Sequence, residues 1–308
     1  MINRKIILLT ILSISILWAN NYNLKPISIT KDIHCVIGDF NTVTTKNKGF
    51  VSNMCFIDIG NSIVVLDAGP TYNFAKEFYT IIKDKYSTKK VSHVIISNFH
   101  DDRLLGASFF KDIGIKIVGH KTINDDVKQY KSKFGRIENL VSEDIYRNTK
   151  IIKVDTLVDG GYKIIGSKKT LEILKPSKVS EEKSDIAIYS KDDSFLFVGN
   201  IVFNGRMLNY RKASSVDGWI EAIENLSKIN AKYLLGGHGK EYGKDSYKAS
   251  LEYLKILKKD VQNGFDNDLD ALDIKENMKA GMYKNIPFYN QLNSSNINNY
   301  YYQLEWAE

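Results

Sequence analysis

Ser97-Asn98-Phe99-His100-Asp101-Asp102-Arg103-Leu104-Leu105-Gly106 is the stretch on which the fold reading turns. It follows an apolar, strand-like segment, Val94-Ile95-Ile96, and leads into a helix-like run over residues 104–110. His100 and Asp102 are residue types that bind a borderline cation such as zinc. Asn98 offers only a neutral amide oxygen, and Arg103 has no lone pair to donate. A guanidinium about 4 Å from a divalent ion repels it by roughly 8 kcal/mol gross at an effective dielectric of about 20. The stretch is built like a metal loop, yet it contains a residue that opposes a metal.

Outward from it, the pattern alternates strands with helices. Ile-, Val- and Phe-rich runs predict strands over 27–38, 50–59 and 62–67, with Gly60-Asn61 as a turn between the last two. Phe74, Ala75, Phe78, Ile81 and Ile82 have helical spacing over 72–86. A strand over 93–97 delivers the polar stretch, followed by a strand over 116–119 and a helix over 125–134. The second half repeats the style. Strands are expected at 151–154, 162–165, 170–174, 185–189, 195–198 and 233–235, a helix at 216–226, and helices from about 245 onward. Two such halves predict two sheets packed face to face with helices outside.

The decamer resembles the metal-binding signature of the metallo-β-lactamase superfamily, His-x-His-x-Asp-His with a Gly three residues on. It is spelled here Asn-x-His-x-Asp-Arg. Val64-Val65-Leu66-Asp67-Ala68-Gly69 resembles that family's first motif, whose Asp supports the metal loop. Phe197-Val198-Gly199-Asn200-Ile201-Val202-Phe203 resembles the element that supplies a bridging carboxylate, with Asn200 in place of Asp. Leu235-Gly236-Gly237-His238-Gly239 resembles the last motif, which supplies a terminal His. Four motifs in order cover most of the chain. The resemblance implies an α/β fold, the four-layer αββα metallo-β-lactamase sandwich with a C-terminal helical extension. It divides the chain into a signal peptide over 1–19, the sandwich over 20–245, and the extension over 246–308, packed on the same domain. Overall spacing and the tail look most like the periplasmic branch associated with quinoprotein and sulfur-oxidation systems.

The resemblance also implies a site. His100, Asp102 and His238 are the expected metal ligands. Glu181 joins them, because anchoring on the strand at 185–189 places it where the third-motif His falls. No His occurs between His120 and His238. Asp102, Arg103 and His238 are the expected catalytic residues, Arg103 orienting Asp102 or an anionic substrate group. The spelling is similar to that of the mononuclear subclass, which binds zinc through Asp, Cys and His. Here no Cys follows Cys55. At most one divalent metal is expected, zinc first, then manganese or iron. Such a metal would activate water for hydrolysis of an ester, thioester or amide, β-lactams included. The alternative is a non-catalytic binding or accessory protein without a metal, its pocket satisfied by an Arg103–Asp102 pair. His34, His93 and His120 are assigned to structure.

Arg4, Lys5, the apolar run at 6–17 and Leu17-Trp18-Ala19 read as an export signal. They imply a periplasmic or secreted protein with no membrane span after cleavage. Removing residues 1–19 lowers the formal charge from +7 by the two cations Arg4 and Lys5, to +5. The remaining lysines are interspersed with acids, and no Arg-rich stripe argues for nucleic acid. The expected partner is a small-molecule substrate or ligand, with a periplasmic protein as a further candidate. Cys35 and Cys55 fall on neighbouring predicted strands. They are expected either to pair across them or to remain as two small buried side chains.

Overall fold

The computed structural model describes residues 21–129, 135–278, 283 and 285–306. The predicted export signal at 1–19 therefore lies outside the described residues, as does the end of the helix expected at 125–134, which is seen over Ile123–Gln129.

One sheet has seven strands in sequence order: β1 Ile27–Ser28, β2 Ile33–Val36, β3 Met54–Asp58, β4 Ser62–Leu66, β5 Lys90–Ile96, β6 Lys116–His120 and β7 Thr156–Val158. Strands β1 to β4 form an antiparallel meander, and β4 to β7 run parallel. The second sheet places β12 Tyr233–Leu235, β11 Phe195–Phe197, β10 Ala187–Ser190, β9 Thr170–Leu174 and β8 Lys163–Ile165 side by side. Here only the β11–β12 pair is parallel.

The alternation of apolar residues explains the layers. Val64 and Leu66 of β4 face inward, meeting Ile173, Ile188, Phe195 and Phe197 of the second sheet in a shared core. Ile63 and Val65 point the other way, into a layer with Phe74, Phe78 and Ile82 of the helix Tyr72–Lys85. Thr71 caps that helix by accepting from Phe74 N. Behind the second sheet, Ala187, Leu196 and Leu234 pack on Trp219 and Ile223 of the helix Val216–Ser227, and on Leu254 and Leu257 of Lys248–Asp266. Strands apolar on both faces, covered by helices on both outsides, give the αββα sandwich. Among the described residues no helix is long and apolar enough to cross a membrane.

Cys35 and Cys55 stand directly opposite on β2 and β3 and form a disulfide. The strand expected at 151–154 is not formed, and β7 lies just beyond it. Asn124 accepts from Val154 N at 2.9 Å and donates to Val154 O at 3.2 Å, so a side-chain amide takes the bonds a ladder needs. The helical run at 104–110 is broken into Asp101–Leu104 and Ala107–Asp112 around Gly106. A Cβ on Gly106 would strike the Ala68 carbonyl, and this close approach ties the motif loop to the end of β4.

Candidate functional site

Loops from both sheets meet at one edge. The C-terminal ends of β4 and β5 deliver Asp67 and the stretch from Ser97 to Arg103. The segment before β10 delivers Glu181, Glu182 and Asp185. The turn after β11 delivers Asn200, and the end of β12 leads to His238. Asn53 latches the last loop to the first sheet, donating to the carbonyls of Gly236 at 2.9 Å and Gly239 at 2.7 Å. Asp67 holds the motif loop by accepting from Ser97 N at 2.7 Å and Ser97 Oγ at 2.8 Å.

Arg103 lies at the centre, fully buried. Nη1 donates to Asp67, Nε donates to Asn200 Oδ1 at 3.0 Å, and Nη2 donates to the same oxygen. The expected Arg103–Asp102 pair is thus corrected. The guanidinium bonds to Asp67 and Asn200, and it reaches Asp102 only through its field. Gly237 is what makes room: a Cβ there would fall on Arg103 Nη2 and Asn200 Oδ1.

The other amide group of Asn200 donates to His100 Nδ1 at 2.9 Å. An accepting Nδ1 places the proton of neutral His100 on Nε2, which lies 3.2 Å from Glu182 Oε1 and donates to it. Burial, then the charges of Arg211, Arg103 and Arg136, hold this imidazole well below its ordinary range, so it is neutral. Asn98 accepts from His100 N at 3.1 Å and donates to Asp185 at 3.0 Å. Asp185 also accepts from Ser180 Oγ and Glu182 N.

His238 stacks on Phe203 and donates from Nδ1 to the Val51 carbonyl at 2.8 Å. Burial, then Arg206 and Arg103, bring its pKa down to about 3. Burial works to raise the Asp102 carboxyl, but Arg103, His238 and Arg136 outweigh it, and the group stays ionised below its usual range. Burial lifts Glu181 well above the carboxylate range, opposed by Arg211 and assisted by Asp185 and Glu182. Arg211 Nε lies 3.5 Å from Glu181 and 3.9 Å from Glu182, and Arg136 forms a two-pronged pair with Asp101.

The four expected ligands therefore lie in the same region but are differently engaged. His100 has both nitrogens committed. Glu181 sits 3.9 Å from His100 Nδ1, its carboxyl lifted above the usual range by burial. The Asp102 carboxylate and His238 Nε2 make no hydrogen bond to another described residue. The expected set of His100, Asp102, Glu181 and His238 shares this edge, and among the described residues no three His, Cys, Asp or Glu side chains are grouped so as to hold a metal ion. A catalytic zinc needs three protein ligands. Two donors beside a buried guanidinium do not fit it. The remaining His34, His93 and His120 bond to Ser28, Ser92 and Thr122, as structural histidines do.

Asn53, Glu182, Asp185, Arg136, Arg206 and Arg211 belong to the site and carry no motif. The polar run from Ser180 to Asp185 before a buried strand was the one local signal.

The model of the metallo-beta-lactamase superfamily matches residues 47–238. A metallo-beta-lactamase type 2 from Bacillus sp. (strain 170) is 24% identical over 229 residues, 72% of this chain and 78% of that protein. One from Elizabethkingia meningoseptica is 23% identical over 203 residues, 63% of this chain and 72% of that one. Among solved structures, a metallo-beta-lactamase from Pontibacter korlensis superposes with a TM-score of 0.62 at 17% identity, covering 76% of this chain and 99% of its own. FIM-1 from Pseudomonas aeruginosa, in its mono-zinc form, gives 0.59 at 14%, covering 77% and 96%. None of these relatives supports placement in the quinoprotein and sulfur-oxidation branch. With the two-sheet sandwich and the four ordered motifs, the match over residues 47–238 establishes that the chain belongs to the metallo-beta-lactamase superfamily.

Proposed function

We propose that this member of the superfamily binds a small molecule at the site edge without metal-dependent hydrolysis, acting as an exported binding or accessory protein. One observation carries the reading: Arg103 and Asn200 form a closed hydrogen-bonded core with Asp67 and His100 where a metal's ligands would converge. A protein cation already neutralises the buried acid there, so a second cation gains little and meets repulsion. The mononuclear-hydrolase reading keeps one supporting observation, the uncommitted Asp102 carboxylate and His238 Nε2, but lacks a third donor.

Export is part of the proposal. It rests on Arg4, Lys5 and the apolar run at 6–17, and the Cys35–Cys55 disulfide suits an oxidising compartment. The mass of the mature chain tests it, with cleavage after Ala19 expected and an intact N-terminus against it.

The functional test is a screen of ester, thioester and β-lactam hydrolysis with and without chelator, alongside melting curves. No turnover above background and an unchanged melting temperature are expected, because no metal binding energy is coupled to folding. Chelator-sensitive turnover contradicts the proposal.

A further inference from the structure

Three consecutive residues of the first sheet hold three parts of the site. Val51 O accepts from His238 Nδ1 at 2.8 Å, Ser52 Oγ donates to Asp102 O at 2.9 Å, and Asn53 N donates to Gly237 O at 2.8 Å. A left-handed turn leads into them, with φ +53° at Lys48 and +85° at Gly49. Glycine adopts this conformation without strain. A lysine does not, and it stays there only where its neighbours enforce it.

The enforcing neighbours come from the N-terminal segment 21–24. Tyr22 Oη donates to Lys48 O at 3.0 Å, and Lys48 Nζ donates to Asn21 O at 2.8 Å, so backbone and side chain of the turn residue are both tied. Thr71 Oγ1 lies 2.8 Å from Tyr22 Oη. Because the phenol proton goes to Lys48 O, Thr71 is the donor here, while its oxygen caps the helix Tyr72–Lys85. The rings of Tyr22 and Phe50 both pack on Phe74, with centroids 5.1 and 5.0 Å away. Glu77 clamps the segment itself. One carboxylate oxygen accepts from Tyr22 N and the other from Leu24 N, each at 2.7 Å. Such charge-assisted bonds are about twice as strong as neutral ones. Leu24 is buried in the layer that holds Phe74 and Phe78.

We infer that residues 21–24 form a strap that positions the site from outside it, with Glu77 and Tyr22 as positioning residues. Glu77 holds the strap, Tyr22 holds the Lys48 turn, and the turn sets Val51, Ser52 and Asn53 against His238, Asp102 and Gly237. The strap serves the site equally with or without a metal. It follows the predicted export signal at 1–19, so in the proposed mature chain the N-terminal segment is itself part of the site's support.

The test is native-state hydrogen exchange, read by mass spectrometry, on the mature chain and three variants. Tyr22→Phe keeps the ring on Phe74 and removes the bond to Lys48 O. Glu77→Ala releases the strap. Lys83→Met is the control, on the same helix but tied to the carbonyls of Ser87 and Lys89. Peptides covering 50–54 and 236–239 should exchange about twofold to tenfold faster in Tyr22→Phe, the change that one lost hydrogen bond permits. They should exchange at least as fast in Glu77→Ala, while the helix Lys248–Asp266 keeps its wild-type rate in both. Lys83→Met should leave both site peptides unchanged. Faster exchange confined to residues 21–26 overturns the strap. So does acceleration spread equally through the helix Lys248–Asp266, which marks a general loss of stability, or an equal response of the site peptides to Lys83→Met. If Glu77→Ala does not fold by circular dichroism, the milder Tyr22→Phe decides alone.

Discussion

Arg103→Met removes the cation at the centre of the site while keeping much of its volume. Asp67, fully buried, then retains its bonds from Ser97 but loses its charge partner, and Asn200 Oδ1 loses its donors. Breaking one side of a buried ion pair costs about 3–5 kcal/mol. For a chain of this size that corresponds to a fall in melting temperature of roughly 5–8 °C. Part of the loss is relieved when Asp67 protonates. Burial already lifts its carboxyl above the usual value against the pull of Arg103, and removing Arg103 lifts it further. A carboxyl with a raised folded pKa loses stability as pH rises, so the gap between variant and wild type should narrow from pH 7 to pH 5. Urea unfolding followed by fluorescence of buried Trp219 measures the cost. The double variant Asp67→Asn/Arg103→Met should lose less than the sum of the singles by about 1–3 kcal/mol. Additive losses, or a single-variant cost below about 1 kcal/mol, would refute the reasoning.

Gly237→Ala drives a methyl into Arg103 Nη2 and Asn200 Oδ1 and should cost about 1–3 kcal/mol in the same urea assay, with Gly243→Ala, whose Cβ meets open space, as the neutral control. Cys35→Ala/Cys55→Ala opens a loop whose ends are 20 residues apart, and unfolding curves should show a loss of roughly 3 kcal/mol. His120 is held at about 4 by burial and by Lys175, below its ordinary value of 6.5. The stability it contributes is fully present above pH 6.5 and is lost as pH falls toward 4. His120→Gln should flatten that part of the stability profile, worth roughly 1–2 kcal/mol once screening by solvent is allowed for.

The fold was legible because its motifs are local: the strand into Asp67-Ala68-Gly69, the decamer ending at Gly106, and the Gly-Gly-His-Gly turn each encode one tight junction. The shift from 151–154 to β7 was not legible, since Asn124 substitutes for a strand across 30 positions. The site was half legible. Asn98, Arg103 and Asn200 stood out as departures from a pattern. What they bond to could not be read, because Arg103 had Asp102 beside it in sequence and Asp67 beside it in space. Arg206 and Arg211 sit in no motif, and their placement depends on Asn296, Asn299 and Gln303 about ninety residues later. Such long-range polar matching leaves no periodic trace.

The most direct measurement is zinc content by elemental analysis of the mature chain after exposure to zinc and dialysis, beside a His238→Ala control. We predict no stoichiometric metal in either protein. One zinc per chain in the wild type, lost in His238→Ala, would contradict the metal-free site and restore the mononuclear hydrolase.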